Sequence, residues 1–354
     1  MKILIDAMGG DNAPQAPVLG ALDAIKEYSD LSVTLVGDER LIRAAAQEAG
    51  RSGELDCVEI VHTDGVINME DDALSVVKQK SDSSMAVGLH MLADGKTDAF
   101  VSAGNTGALH AGSSLIVRRI RGIQRSAIAT VLPFAKPMLL IDSGANIEVQ
   151  PVYMRQFAVM GSIYMKYVFG VENPEVGLLN NGAERTKGTK KLIETYELLE
   201  KDETLNFVGN IEGKDAPLGG CDVLVTDGFT GNIFLKLTEG LGLYMLSKLK
   251  DCFYDNIITK VSALGLRGNL KKLKTSFDPS EYGGAPLLGL SKPVIKAHGG
   301  SNATAFKNAV RKAADFASAG VHIEISKWVE ADSAKNIGAD RTGQENTQEI
   351  SHAE

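Results

Sequence analysis

Short apolar runs rich in β-branched residues recur along the chain at residues 3–5, 33–36, 58–61, 99–101, 138–141, 176–179, 206–208, 223–225 and 294–296. Between them, apolar positions return every three to four residues over 15–26, 39–49, 84–94, 106–119, 150–169, 187–200, 229–251 and 301–319. Runs too short for a helix alternating with helical patterns are the sequence form of βαβ units. The repetition predicts an α/β fold, a doubly wound, mainly parallel sheet with helices on both faces (an α/β/α sandwich). No repeat of about 20–50 residues is present, and no Gly/Ser- or Pro-rich linker divides residues 1–330. The expectation is one large α/β/α unit in which any second lobe is interleaved. Residues 331–354 lack aromatics and are dominated by polar and small residues, which predicts a loosely docked polar tail.

Composition narrows the class. With 354 residues, 44% hydrophobic and 23% charged, the chain has ample material for a core. Forty-five acids against 37 bases give a net charge of −8, so the overall field repels polyanions and nucleic acid is a poor first choice of partner. Cys57, Cys221 and Cys252 are far apart and odd in number, without a C-x-x-C pair, which fits a reducing compartment and argues against disulfides or structural zinc. The opening MKILIDAMGG enters a strand-like run directly, and no apolar stretch approaches the roughly 18 residues of a spanning helix. A cytoplasmic protein is expected.

In open α/β sheets ligands bind beyond the carboxyl ends of the strands. Six strand ends here share one chemistry, polar side chains interleaved with glycine. Asp6, Gly9, Gly10, Asp11 and Asn12 follow the first run, and Ser102, Gly104, Asn105, Thr106 and Gly107 follow the run at 99–101. Asp142, Gly144 and Asn146 follow 138–141; Asn180, Gly182, Glu184, Lys187 and Gly188 follow 176–179. Asp227, Gly228, Gly231 and Asn232 follow 223–225, and His298 with Gly299 and Gly300 follows 294–296. Glycine lets backbone amides approach a ligand, and a following helix N-terminus favours an anion. Turn geometry and helix capping alone also call for these residue types. Six such turns on one edge would form a polar bowl suited to phosphate.

Lys187 is expected at the start of a helix, where its ammonium and free amides could face one anion, although a solvated first-turn lysine reads equally well. The Gly182–Gly188 spacing does not match G-x-x-x-x-G-K-[ST], and no G-x-G-x-x-G or G-x-S-x-G occurs. These absences weaken nucleoside triphosphate, ordinary dinucleotide and serine-nucleophile readings. His298 suits either a general acid or base or a hydrogen-bonded supporting role. Cys57 and Cys221 are expected to begin strands and Cys252 to lie late in a helix, so a thiol nucleophile is not favoured.

The helical region expected over 241–285 includes a local reversal of charge. Between residues 256 and 277, Lys260, Arg267, Lys271, Lys272 and Lys274 stand without an acid. Ile257, Val261 and Leu264 share one helical face; Leu266, Leu270, Leu273 and Phe277 share another after a break at residues 265–268. A helical hairpin or bent amphipathic helix is predicted. Its surface suits an anionic membrane or an acidic carrier protein, and packing on the core or a second subunit satisfies the same pattern.

Taken together, Ile-Asp6-Ala-Met-Gly-Gly-Asp-Asn-Ala-Pro14, Ser102-Ala-Gly-Asn-Thr-Gly-Ala, Leu-Ile-Asp142-Ser-Gly-Ala-Asn, Asn-Asn-Gly182-Ala-Glu-Arg-Thr-Lys-Gly and Thr-Asp227-Gly-Phe-Thr-Gly-Asn resemble the phosphate acyltransferase (PlsX) family of bacterial phospholipid synthesis, over residues 1 to about 328. The resemblance implies attack of inorganic phosphate on the thioester of a long-chain acyl-acyl carrier protein, giving an acyl phosphate that feeds glycerol-3-phosphate acylation. It implies a fold like isocitrate and isopropylmalate dehydrogenases and phosphotransacetylases, a homodimer, peripheral membrane association, and no metal or cofactor. It assigns Lys187 to phosphate and Asn232 to phosphate or the oxyanion. Asn105, Thr106 and amides near Gly104 and Gly107 are second choices, and Asp6, Asp142 and His298 orient the others. A metal- and NAD-dependent oxidoreductase of the same fold, and a non-catalytic scaffold for the carrier protein at a membrane, are the competing readings.

Overall fold

The computed structural model describes residues 1–254, 265, 268 and 283–334. Its strands are β1 (Lys2–Asp6), β2 (Ser32–Gly37), β3 (Glu59–His62), β4 (Ala99–Ser102), β5 (Ala127–Pro133), β6 (Pro137–Ile141), β7 (Glu175–Asn180), β8 (Asn206–Glu212), β9 (Val223–Val225), β10 (Ala285–Leu288) and β11 (Val294–Lys296). They join in one sheet of order β3-β2-β1-β4-β11-β10-β5-β6-β9-β7-β8. The nine strands expected from apolar runs are all present. β5 and β10 are additions: alanines and Pro133 in one, and Pro286 in the other, dilute the strand signal.

The helices are α1 (Gln15–Glu27), α2 (Glu39–Glu48), α3 (Ser84–Ala93), α4 (Thr106–Gly112), α5 (Pro151–Phe169), α6 (Lys190–Glu200), α7 (Gly228–Tyr254), α8 (Ala303–Ser318) and α9 (321–334). The expected helix over 106–119 is α4 followed by a wider π turn at Ser113–Arg118. Strand side chains alternate between two cores, as the pleat requires. Ile3, Ile5, Leu139, Ile141, Val223 and Val225 face one layer with residues of α1, α2, α5 and α8. On the opposite face Leu4 and Phe100 meet α3 and α4, while Leu140 and Leu224 meet Phe234 and Leu235 of α7. The sandwich is therefore complete on both faces, with α3 and α4 over one half of the sheet and α7 over the other.

The sheet reverses direction in its middle. β1, β2, β3, β4 and β11 are mutually parallel, and β6, β9, β7 and β8 are mutually parallel. Antiparallel pairings β11–β10, β10–β5 and β5–β6 lie between, so the second group runs opposite to the first. The six turns consequently do not leave one edge in one direction, contrary to the sequence expectation; they form two sets of three. The register nevertheless brings the sets level. Leu287 is opposite Ile128, and continuing by one residue puts Pro286 level with Ala129. One row then runs Ile5, Val101, Ile295, Pro286, Ala129, Ile141, Val225, Leu178. Both groups of strands end at or near this row, approaching it from opposite sides, and β10 and β5 join them. It is the switch point between the two strand directions.

Residues 331–334 continue α9, and the Arg155 guanidinium donates to Asp202 at 2.6 Å and to Asp332 at 2.7 Å, anchoring that end. The predicted tail from 335 onward lies outside the described residues. So does the basic amphipathic segment, including Ile257, Val261, Leu264, Leu266, Arg267, Leu270, Lys271, Lys272, Leu273 and Lys274. Among the described residues no helix is long and apolar enough to cross a membrane.

Candidate active site

The first set joins the turns after β1, β4 and β11. Asp6 is buried at the end of β1 and accepts hydrogen bonds from Ser84 Oγ (2.6 Å), Ser102 Oγ (2.7 Å) and the Met8 amide (3.1 Å). Burial raises its pKa against the pull of those donors. Gly10 has φ +101°, and a Cβ there would lie 2.9 Å from both Ala103 Cβ and the Gly299 carbonyl, so the β1 turn fits closely between the other two. The Asp11 amide donates to that carbonyl at 2.9 Å, and Asn12 Nδ2 donates to the carbonyls of Gly300 and Ser301. His298 is exposed and its Nδ1 accepts from the Gly300 amide at 3.1 Å, a contact that shapes its own turn.

Lys296, the last residue of β11, is a member of this set that the sequence analysis passed over. Its Nζ donates to the carbonyls of Ala103 (3.2 Å) and Ala297 (2.5 Å), tying the β4 and β11 turns together. Burial lowers its pKa to about 8, opposed by the charges of Asp6 and Asp11. Its position at a strand end immediately before the His298 turn was the available signal. Asn105 also behaves differently from expectation. Its amide nitrogen donates to the carbonyls of Asn68, Met69 and Asp71, and its Oδ1 caps α4 through the Ala108 amide at 3.0 Å. The side chain clamps the 68–71 loop to the helix, which leaves Thr106 and the amides of this turn as the groups suited to a ligand.

In the second set, the Asp142 carboxylate is buried and accepts from the amides of Ile128 (3.1 Å), Gly144 (3.1 Å), Ala145 (3.0 Å) and Asn146 (2.7 Å), and from Asn146 Nδ2 (2.8 Å). Burial again raises its pKa while the donors lower it. With its oxygens so engaged, Asp142 is the template of its loop. The loop meets the start of α7: the Gly228 amide donates to the Asn146 carbonyl at 2.8 Å, and a Cβ on Gly228 would be 2.6 Å from that oxygen. Asp227 accepts from the amide and hydroxyl of Thr230, capping α7. One turn on, Asn232 is exposed with its side-chain amide beside Gly144; a Cβ on that glycine would sit 3.6 Å from Asn232 Nδ2.

The Asn180–Gly188 turn departs from expectation in one respect. α6 begins at Lys190 and is capped by Thr189, so Lys187 precedes the helix instead of starting it. Asn180 Nδ2 donates to the Lys187 carbonyl and to Asn210 Oδ1, each at 3.1 Å, and Asn210 Nδ2 donates to the Glu184 carbonyl at 2.9 Å. Asn210, on β8, is a support that the turn motif alone does not reveal. Gly188 has φ +90° over Asn180, which lets the chain fold back. Lys187 is half-exposed, its Nζ 3.9 Å from Glu184 and its stem over Gly182. β7 and β9 are adjacent and parallel, so the turns carrying Lys187 and Asn232 leave the same edge side by side.

Cys221 is buried and pushed up to about 12, and Cys57 closes a 3-10 turn instead of beginning β3.

The depressed Lys296 pKa has a measurable consequence. Between about pH 8 and its ordinary value near 10.5, the unfolded chain keeps a proton that the folded chain has lost, so raising pH favours folding. The wild type is expected to gain stability relative to Lys296→Met across this window with a slope approaching about 1.4 kcal/mol per pH unit. Urea unfolding of both proteins at pH 7 to 10 measures it; parallel pH profiles would contradict the burial argument.

A family model described as fatty acid synthesis protein matches residues 1–324. The phosphate acyltransferase of Acetivibrio thermocellus is 48% identical over 318 residues, covering 90% of this chain and 93% of the relative. That of Caldanaerobacter subterraneus is 43% identical over 331 residues, covering 93% and 98%. Among solved structures, a phosphotransacetylase from Streptococcus pyogenes superposes with a TM-score of 0.61 at 17% identity, covering 90% of this chain and 94% of its own. A branched-chain phosphotransacylase from Enterococcus faecalis gives 0.54 at 14% identity, covering 90% and 99%. These two establish a shared fold, whereas the sequence matches reach further: the chain belongs to the phosphate acyltransferase family expected from its turn motifs.

Proposed function

We propose that this phosphate acyltransferase moves a long-chain fatty acyl group from acyl carrier protein to inorganic phosphate by direct attack. The observation that carries the reading is the 48% identity to a curated phosphate acyltransferase across nearly the whole of both chains. A phosphate oxygen forms a bond to the thioester carbonyl carbon, the tetrahedral oxyanion collapses, and the carbon–sulfur bond breaks. The products are acyl phosphate and the carrier thiolate, which takes up a proton. Phosphate is already nucleophilic at neutral pH, so the protein's task is to hold it against the carbonyl and to donate hydrogen bonds to the developing charge.

Lys187 holds and orients phosphate, and Asn232 donates to phosphate or the oxyanion. Support for these roles comes from their neighbouring turns and from their accessibility, in contrast to Asp6, Asp142 and Asn146, whose side chains are engaged in shaping loops. Thr106 and the amides near Gly104 and Gly107 face the same substrate from the first set, and His298 orients its turn.

The reading extends to a homodimer that associates peripherally with membrane. Phe229, Ile233, Leu237, Leu241 and Tyr244 recur along α7 and are each more than half exposed, an apolar stripe that begins beside Asn232 and fits a second subunit or a fatty chain. Supporting bilayer contact are the bases and leucines at 266–274, whose pattern suits an anionic lipid surface.

Lys187→Ala is expected to slow phosphate-dependent release of carrier thiol from acyl-acyl carrier protein by at least about 10²-fold, the scale for one transition-state donor, with the fold retained by circular dichroism. Turnover near wild type would remove Lys187 from the site. Replacing Leu266, Leu270 and Leu273 by serine should abolish sedimentation with anionic liposomes; retained sedimentation of a still dimeric variant would assign that face to packing.

A further inference from the structure

The two sets of turns are carried by opposite halves of the sheet, so something must fix one against the other. α4 starts in the first set, where Asn105 caps it, and one turn later His110 reaches Ser126, whose carbonyl also holds Asn146 of the second set. His110 Nε2 lies 3.0 Å from Ser126 Oγ and 3.2 Å from the Ser126 carbonyl. Ser126 is fully buried before β5, and Ser114 Oγ, from the π turn, stands 3.2 Å from its hydroxyl. The same Ser126 carbonyl accepts from Asn146 Nδ2 at 2.8 Å. The Asn146 carbonyl in turn accepts from Gly228, the first residue of α7, one turn before Asn232. A chain of short polar contacts thus crosses the switch point: α4, His110, Ser126, Asn146, α7.

We propose that His110 is a positioning residue for acyl transfer, setting through Ser126 and Asn146 the separation between the Thr106 turn and the Asn232 helix. The inference rests on the acyl transfer reading for its kinetic consequence and on geometry for the bridge itself. Polar contacts suit the task because hydrogen bonds fix both distance and angle, and a misplacement of about 1 Å at a reacting centre can cost about 10²-fold in rate. Burial lowers the His110 pKa, with Arg125 and Arg119 acting in the same sense and the Ser126 carbonyl and Asp142 opposing. The ring therefore takes up its second proton less readily than a free histidine. A neutral ring keeps one nitrogen as acceptor and one as donor.

The test compares His110→Ala, His110→Gln and His110→Asn in the full-length protein. Glutamine places an amide nitrogen near the reach of Nε2, and asparagine near that of Nδ1. Alanine and asparagine are expected to lower kcat by at least about tenfold, and glutamine to recover activity to within about threefold of wild type, while all three melt within a few degrees of one another. A merely structural histidine would show loss tracking melting temperature and no preference for glutamine over asparagine, and that result overturns the proposal. Imidazole 15N shifts, read without substrate, separate the bridge from the chemistry. They should show His110 protonating at lower pH than free histidine and should move in Asn146→Ala. A ring that titrates like free histidine and ignores Asn146 overturns the bridge whatever the activity. Wild-type protein that releases no carrier thiol, with the shifts as expected, defeats the acyl transfer reading instead.

Discussion

The reversal of strand direction at β10 is the constraint from which the site follows. Two residues of this short strand, Ala285 and Pro286, pair with β11, and the next two, Leu287 and Leu288, pair with β5. Because the β5–β6 hairpin then turns the chain back, two parallel half-sheets end at one row from opposite sides. A single uniformly parallel sheet would line all six turns along one edge. The observed arrangement instead divides them: the turns of Asp6, Ser102 and His298 leave one half-sheet, and those of Asp142, Asn180 and Asp227 leave the other in the opposite direction, with β10 and β5 between.

Each set is held rigid by a buried carboxylate. Asp6 gathers two serine hydroxyls from separate elements, and Asp142 gathers four amides and a side-chain nitrogen within and beside its loop. Leaving such carboxylates without partners would be costly, which makes the loop conformations the ones that satisfy them. The price of this rigidity is that neither group is available as a base. That suits a reaction whose nucleophile arrives already ionised.

Much of the fold was legible because its strands are strongly apolar and its helices amphipathic. Val223–Val225, for example, is bounded by polar residues and appears as a strand with the limits expected. The turn motifs were legible because glycine and short polar side chains are required where backbones meet, as at Gly10 and Gly228. What escaped was tertiary. β5 and β10 carry alanine and proline, so the hairpin joined by residues 134–136 went unseen, and with it the reversal that divides the turns into two sets. Asn105 shows the converse, since the turn motif alone does not reveal that its side chain clamps residues 68–71. Lys296, Asn210 and His110 acquire meaning only from neighbours distant in sequence.

In the proposed reaction the acyl group passes directly between bound partners, without an acylated protein. Exchange of the acyl group between a donor carrier protein and an isotopically labelled, unacylated carrier, followed in the complete absence of phosphate, tests it most simply. Direct attack predicts no exchange and no acyl adduct in the intact mass of the protein, with transfer beginning only when phosphate is added. Phosphate-independent exchange accompanied by a covalent acyl adduct would rule out direct attack.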